Sequence, residues 1–208
     1  MHRNAAAGWA LILGSVGMLV TMTFHPTGGS AERIVQQATL IRLTHGLALA
    51  SIPLVFAGFL GLSRRLAAAP VLADLGLVAY GFGSVAGMIA GTLNGFVAPA
   101  FVARIAADAE GSATFGTVLR YSFHANAAFA VVSMVAWAAA TLLFSLAIWR
   151  TGALARWTGG LGILLGALGL VVVLGGQLVP TVHGFGLFVL GSSAWTIGVG
   201  ALLCRPSR

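Results

Sequence analysis

Four histidines stand at the ends of apolar runs: His25, His45, His124 and His183. Neutral imidazole nitrogen is the commonest protein donor to zinc, copper and iron, and three imidazoles with an open fourth position make a catalytic zinc site. Ionisable groups at membrane depth are costly and are functional candidates by default. The spacing of these four predicts a shared transition-metal site (Cu, Zn or Fe) with His45, His124 and His183 as ligands and His25 as the fourth. Its chemistry would be redox, metal-assisted hydrolysis or metal handling.

Arg42 precedes His45 by three residues and Arg120 precedes His124 by four, both same-face spacings on a helix. A cation there keeps an imidazole neutral, as ligation requires. The same arginines would suit haem propionates, so a b-type haem held by two of these histidines, exchanging electrons with quinone, is the alternative. A third reading gives the histidines only packing or lipid contact, in a non-enzymatic membrane subunit or small-molecule binder. Asn94, Asn126, Gln177, Tyr121, Thr21 and Thr23 accompany them as polar groups at similar depth. They would fix histidine tautomers or bridge helices.

The elements that carry these residues are transmembrane helices. Of 208 residues, 59% are hydrophobic and 7% charged, with mean hydropathy +1.00; a soluble domain carries roughly 25% charged residues. Lipid is therefore the solvent. A span needs about 20 apolar residues, and six runs qualify: 8–25, 43–62, 75–96, 123–149, 160–179 and 183–204. The chain is expected to be an all-α integral membrane protein, a single six-helix transmembrane domain over residues 1–208. Its 29 glycines fit close helix approach in lipid.

Arginine placement sets the orientation. With the N-terminus inside, Arg3, Arg64, Arg65, Arg150, Arg156, Arg205 and Arg208 are cytoplasmic, and Arg33, Arg42, Arg104 and Arg120 lie outside. Glu32, Asp108 and Glu110 fall outside too, and Trp9, Trp149 and Trp157 form a cytoplasmic belt. Both termini are then cytoplasmic, and all four span-end histidines face the periplasm of a bacterial inner membrane. The absence of lysine beside abundant alanine, glycine and arginine points to a GC-rich bacterial genome. The first run reads as an uncleaved span ending at His25-Pro26 rather than a signal peptide.

Outside the spans, Ser30 reads as an N-cap for a helix over 31–43 that runs on into span two. Residues 99–120 read as a short interfacial helix, a Gly111-Ser112 break and the start of span four. Pro53 should kink span two. Each outward span ends near a proline and each inward span opens with a histidine. His45 to Pro99 spans 54 residues and His124 to Pro180 spans 56. This suggests a repeated two-helix hairpin.

Several function classes are excluded. The net charge of +7 is scattered singly, without the basic stripe of a nucleic-acid binder. Cys204 is the single cysteine, which removes internal disulfides and CxxC chemistry. No carboxylate lies within a span centre, which disfavours proton- or sodium-coupled transport. Ser192-Ser193 lacks the motif of a nucleophile. The lipid bilayer is the expected partner; the small-residue faces also permit a homo-oligomer or a partner subunit.

Overall fold

A computed structural model describes residues 2–27, 30–105, 112–177 and 181–205, with the side chains of residues 2, 3 and 112–114 left aside. Asp108, Glu110, Gly111, Pro180 and Arg208, and the end expected for span five, lie outside the described residues. The described chain is helical throughout: α1 (His2–Thr23), α2 (Ala31–Gln36), α3 (Ala38–Arg65), α4 (Pro70–Thr92), a π turn (Leu93–Val97), α5 (Ala98–Ile105), α6 (Ser112–Thr151), α7 (Arg156–Leu174) and α8 (Val182–Cys204). Six helical stretches are long and apolar enough to cross a membrane: Asn4–Thr23, Ala38–Arg65, Pro70–Ile105, Phe115–Thr151, Arg156–Leu174 and Val182–Cys204.

Local rules explain most boundaries. The Ser30 side chain caps α2 by accepting from Arg33 N, with Glu32 in the first turn where a carboxylate suits the helix dipole. Helix α2 stops at Gln37 before α3 begins, so the expected run into span two is interrupted by one residue. Thr181 caps α8 in the same way, accepting from Gly184 N, and Pro70 opens α4 at a position where its missing N–H is harmless.

One expectation fails at the loops. Pro99 does not end the third span; the helix passes through the π turn and continues to Ile105. A proline inside an α-helix clashes with the carbonyl four residues back, and a widened π turn absorbs that conflict. The short helix expected after residue 99 is α5, and α6 starts at Ser112, at the expected break; it runs 40 residues, about 60 Å, well past the bilayer core. Its extra turns, with α2 and α5, form a small cap whose own core is Ile34, Ile41 and Val102, flanked by Phe115 and Leu119.

The six long helices form a ring. α1 packs broadly on α3 and α8, α4 on α6, and α6 on α7, while α3 meets α4 more lightly and α7 barely touches α8. Aromatic side chains fill the ring centre. Phe59 and Phe144 stack with centroids 4.9 Å apart, Phe59 meets Tyr80 at 4.6 Å, and Tyr80 stacks on Trp137 at 5.9 Å. Buried Trp195 donates to the Thr158 carbonyl across the α7–α8 seam at 3.0 Å.

Glycine permits a backbone contact between α1 and α8. A Cβ added to Gly8 would lie 2.5 Å from the Gly200 carbonyl, and one on Gly200 would lie 2.7 Å from that of Gly8. The α1 and α8 backbones therefore touch, which a larger residue on either would prevent. The helix directions place Arg64, Arg65, Arg150, Arg156 and Arg205 at one end of the ring, with exposed Trp9, Trp149 and Trp157. His25, His45, His124 and His183 are at the other, beneath the small cap.

Candidate functional site

The packing of α1 on α3 decides which histidines meet. Near its end α1 is tied to α3 by Thr21, whose hydroxyl donates to the Thr44 carbonyl at 3.2 Å. The next residue on α3 is His45, 5% exposed. Past the last turn of α1 the chain turns at His25-Pro26, and the two imidazoles meet with ring centroids 4.7 Å apart and planes inclined at 58°. Their Nε2 atoms are 3.2 Å apart.

The other nitrogen of each ring is anchored. His25 Nδ1–H donates to the Pro26 carbonyl and His45 Nδ1–H donates to the Ile41 carbonyl, each at 2.8 Å. A carbonyl only accepts, so each Nδ1 must carry a hydrogen. In the neutral rings both Nε2 atoms then present lone pairs, and those lone pairs face each other. Two acceptors at this distance repel unless a cation sits against both. Burial holds the His25 pKa below its ordinary value of 6.5, against a smaller upward pull from the Pro26 carbonyl. The ring therefore stays neutral, with its Nε2 lone pair free.

The pair borders two neighbouring chambers that share lining residues. The outer, about 430 Å³, lies under the small cap and is bordered by Ile34, Ile41, Pro99 and Phe123. The inner, about 110 Å³, descends into the ring past Thr21, Met22, Met18 and Ile52 to Trp137. His25, His45, Asn94, Asn126, Thr181 and Val182 border both. Asn94 is supplied by the π turn, as is Gly95, which lies against the His45 ring. Such π turns are frequent at functional sites, because the extra residue per turn redirects neighbouring side chains. No carboxylate stands among the described residues bordering either chamber.

The remaining expected ligands are elsewhere. His124 on α6 and His183 in the first turn of α8 are both exposed and border neither chamber, although their neighbours Phe123, Asn126 and Val182 do. The expected convergence of His45, His124 and His183 is thus replaced by a pair, His25 with His45. Among the described residues no group of three or more His, Cys, Asp or Glu side chains comes together. Arg42 is exposed, and exposed Arg120 turns its Nε back to the Gly116 carbonyl at 3.2 Å. Neither arginine borders the chambers. Gln177 borders a separate groove of about 410 Å³ between α6, α7 and α8. Tyr121 is exposed, and Thr23 donates to its own helix at Leu19.

Met18 and Met22 were not singled out by sequence, yet both border the inner chamber. The signal was available: Met18, Met22 and His25 follow one another at four and three residues, one face of a helix.

The pair does not suit a haem held between the two rings. Axial nitrogens on opposite faces of a macrocycle lie about 4 Å apart, at roughly 2 Å from the iron each, with the macrocycle plane between them. At 3.2 Å, with rings inclined toward one another, that plane has no space. Comparison with family models, curated proteins and solved structures finds no match for this chain.

Proposed function

We propose that this multi-pass membrane protein binds one transition-metal ion on His25 and His45 and handles it at the membrane face toward which the chambers lie. The carrying observation is the 3.2 Å separation of two Nε2 atoms whose partner nitrogens are both committed to carbonyls. An ion about 2.05 Å from each nitrogen would subtend an angle of roughly 100° at this separation, close to tetrahedral. The Nδ1–H to carbonyl bonds are the arrangement that orients metal-binding histidines.

Asn94, Asn126 and Thr181 offer neutral oxygens in the same chambers, and the space beside the pair leaves coordination positions for exchange. Among the described residues no carboxylate borders the chambers to serve as the usual general base of a metal hydrolase, which favours binding and transfer of the ion over hydrolysis. The arginine-rich end, with its tryptophan belt, supports a cytoplasmic location for both termini. The histidine end then faces the periplasm of a bacterial inner membrane.

Elemental analysis of untagged protein in mild detergent, after reconstitution with copper, zinc and iron in turn, tests this. One ion per chain is expected, lost in His25→Gln and in His45→Gln and kept in His124→Ala and His183→Ala. Absence of every metal from the wild type, or retention in both pair variants, would leave a structural or small-molecule-binding bundle.

A further inference from the structure

The paired imidazoles alone accept several metals, and the floor of their cavity distinguishes among them. Met18 and Met22 lie one helical turn apart on α1 and border the same inner chamber as His25 and His45. Met18 is 8% exposed. A Cβ on Gly186 would come 3.3 Å from the Met22 methyl, so this side chain extends from α1 toward α8. Two thioethers and two imidazoles therefore border one chamber, and the methionines lie on the helix that also leads to His25.

Thioether sulfur is a soft donor that selects copper(I); hard oxygen donors suit magnesium, calcium and manganese. Charge gives the same answer independently. Among the described residues every candidate donor bordering the chambers is neutral, with no carboxylate or thiolate. Cys204, the single cysteine, lies beside the Ala5 carbonyl at the opposite end. A divalent ion on neutral ligands brings a full double charge into a partly apolar chamber, whereas copper(I) brings one. The near-tetrahedral approach of the two nitrogens also differs from the linear geometry that copper(I) takes with two donors only. A third donor is therefore required.

We propose that the ion is copper(I), held by His25, His45 and the Met22 thioether, with Met18 as the next sulfur one turn deeper. The inference rests on the pair being a metal site and adds the identity of the ion and its sulfur ligands. Methionine also serves as a flexible filler of irregular cores, and the substitution to leucine separates the two roles. It keeps volume and apolarity within the tolerance of a core and removes only the sulfur.

Anaerobic titration with copper(I), in competition with a chromophoric copper(I) chelator, is to be run on the wild type, Met22→Leu, Met18→Leu and the double variant. A parallel titration uses zinc(II), and X-ray absorption is recorded on copper-loaded wild type. The expected result is copper(I) capture by the wild type that weakens about tenfold or more in Met22→Leu, with thermal midpoint and zinc affinity unchanged. A sulfur scatterer should be present in the wild-type absorption spectrum. Copper bound through nitrogen and oxygen alone, with affinity indifferent to both leucine variants, overturns the sulfur assignment and leaves the two-histidine site standing. Failure of copper, zinc and iron alike to bind the wild type removes the site itself, and the inference with it.

Discussion

Gly95 lies directly against the His45 ring: a Cβ built on its Cα would come 2.5 Å from the imidazole Cγ. The π turn can pass this close only because the residue has no side chain. Gly95→Ala must therefore move either the ring or the turn that supplies Asn94. Overpacking of this kind costs about 1–3 kcal/mol. The thermal midpoint should fall and metal affinity should fall with it, measured by thermal unfolding and by titration. Unchanged metal affinity would mean that the ring position is immaterial to binding.

Bound metal should stabilise the fold, because the ion would tie the turn at His25 to α3 at His45, adding to the packing of α1 on α3. At an ion concentration about 100 times Kd, linkage gives roughly 2.7 kcal/mol, or a rise of about 5–10 °C for a chain of this size. Chelation should reverse the rise, and His45→Ala should show none. A midpoint indifferent to metal in the wild type would contradict a bridging site.

Acidification should destabilise the metal-free protein. Burial lowers the His25 pKa in the folded state below the 6.5 of the unfolded chain. Between the two values the unfolded chain binds more protons, so stability rises with pH across that window. Going down from pH 7, the midpoint should begin to drop near 6.5 and level off once folded His25 is itself protonated. His25→Gln should flatten the profile. A wild-type midpoint that is constant or rises on acidification would show that the ring is not held neutral.

The exposed basic residues should be dispensable for metal. His124→Ala, His183→Ala, Arg42→Ala and Arg120→Ala touch neither chamber and should change stability by no more than about 0.5 kcal/mol each. Loss of the ion in His124→Ala or His183→Ala, by elemental analysis, would restore the wider histidine cluster.

The α1–α8 contact should tolerate no added side chain. Gly200→Leu places bulk where the Gly8 carbonyl already stands, whereas Gly191→Ala on the same helix meets nothing within 4 Å. The first should lower the midpoint or prevent assembly, and the second should match the wild type. Equal behaviour of the two would argue that α1 and α8 are not in backbone contact.

The one-dimensional pattern was sufficient for the spans, since an apolar run of about 20 residues has a single stable placement in lipid. The Ser30 cap was legible for the same kind of reason: a side-chain oxygen at a helix start satisfies a nearby backbone N–H whatever the tertiary context. The placement of all four histidines at one end followed from the alternation of the helices alone.

Rotation about each helix axis was not legible. The spans are apolar on every side, so no polar stripe marks an inward face, and each residue of offset turns a side chain by about 100°. Packing chose instead. Glycine contacts and the Thr21–Thr44 bond bring the end of α1 onto α3, which joins His25 to His45 and places Met22 at the same chamber. On α6 and α8 the inward positions went to Asn126 and Val182, leaving His124 and His183 exposed. The continuation of the helix through Pro99, after the π turn at Leu93–Val97, was equally a tertiary outcome. Proline alone predicts a helix end, whereas in the fold the widened turn before it packs Gly95 against His45.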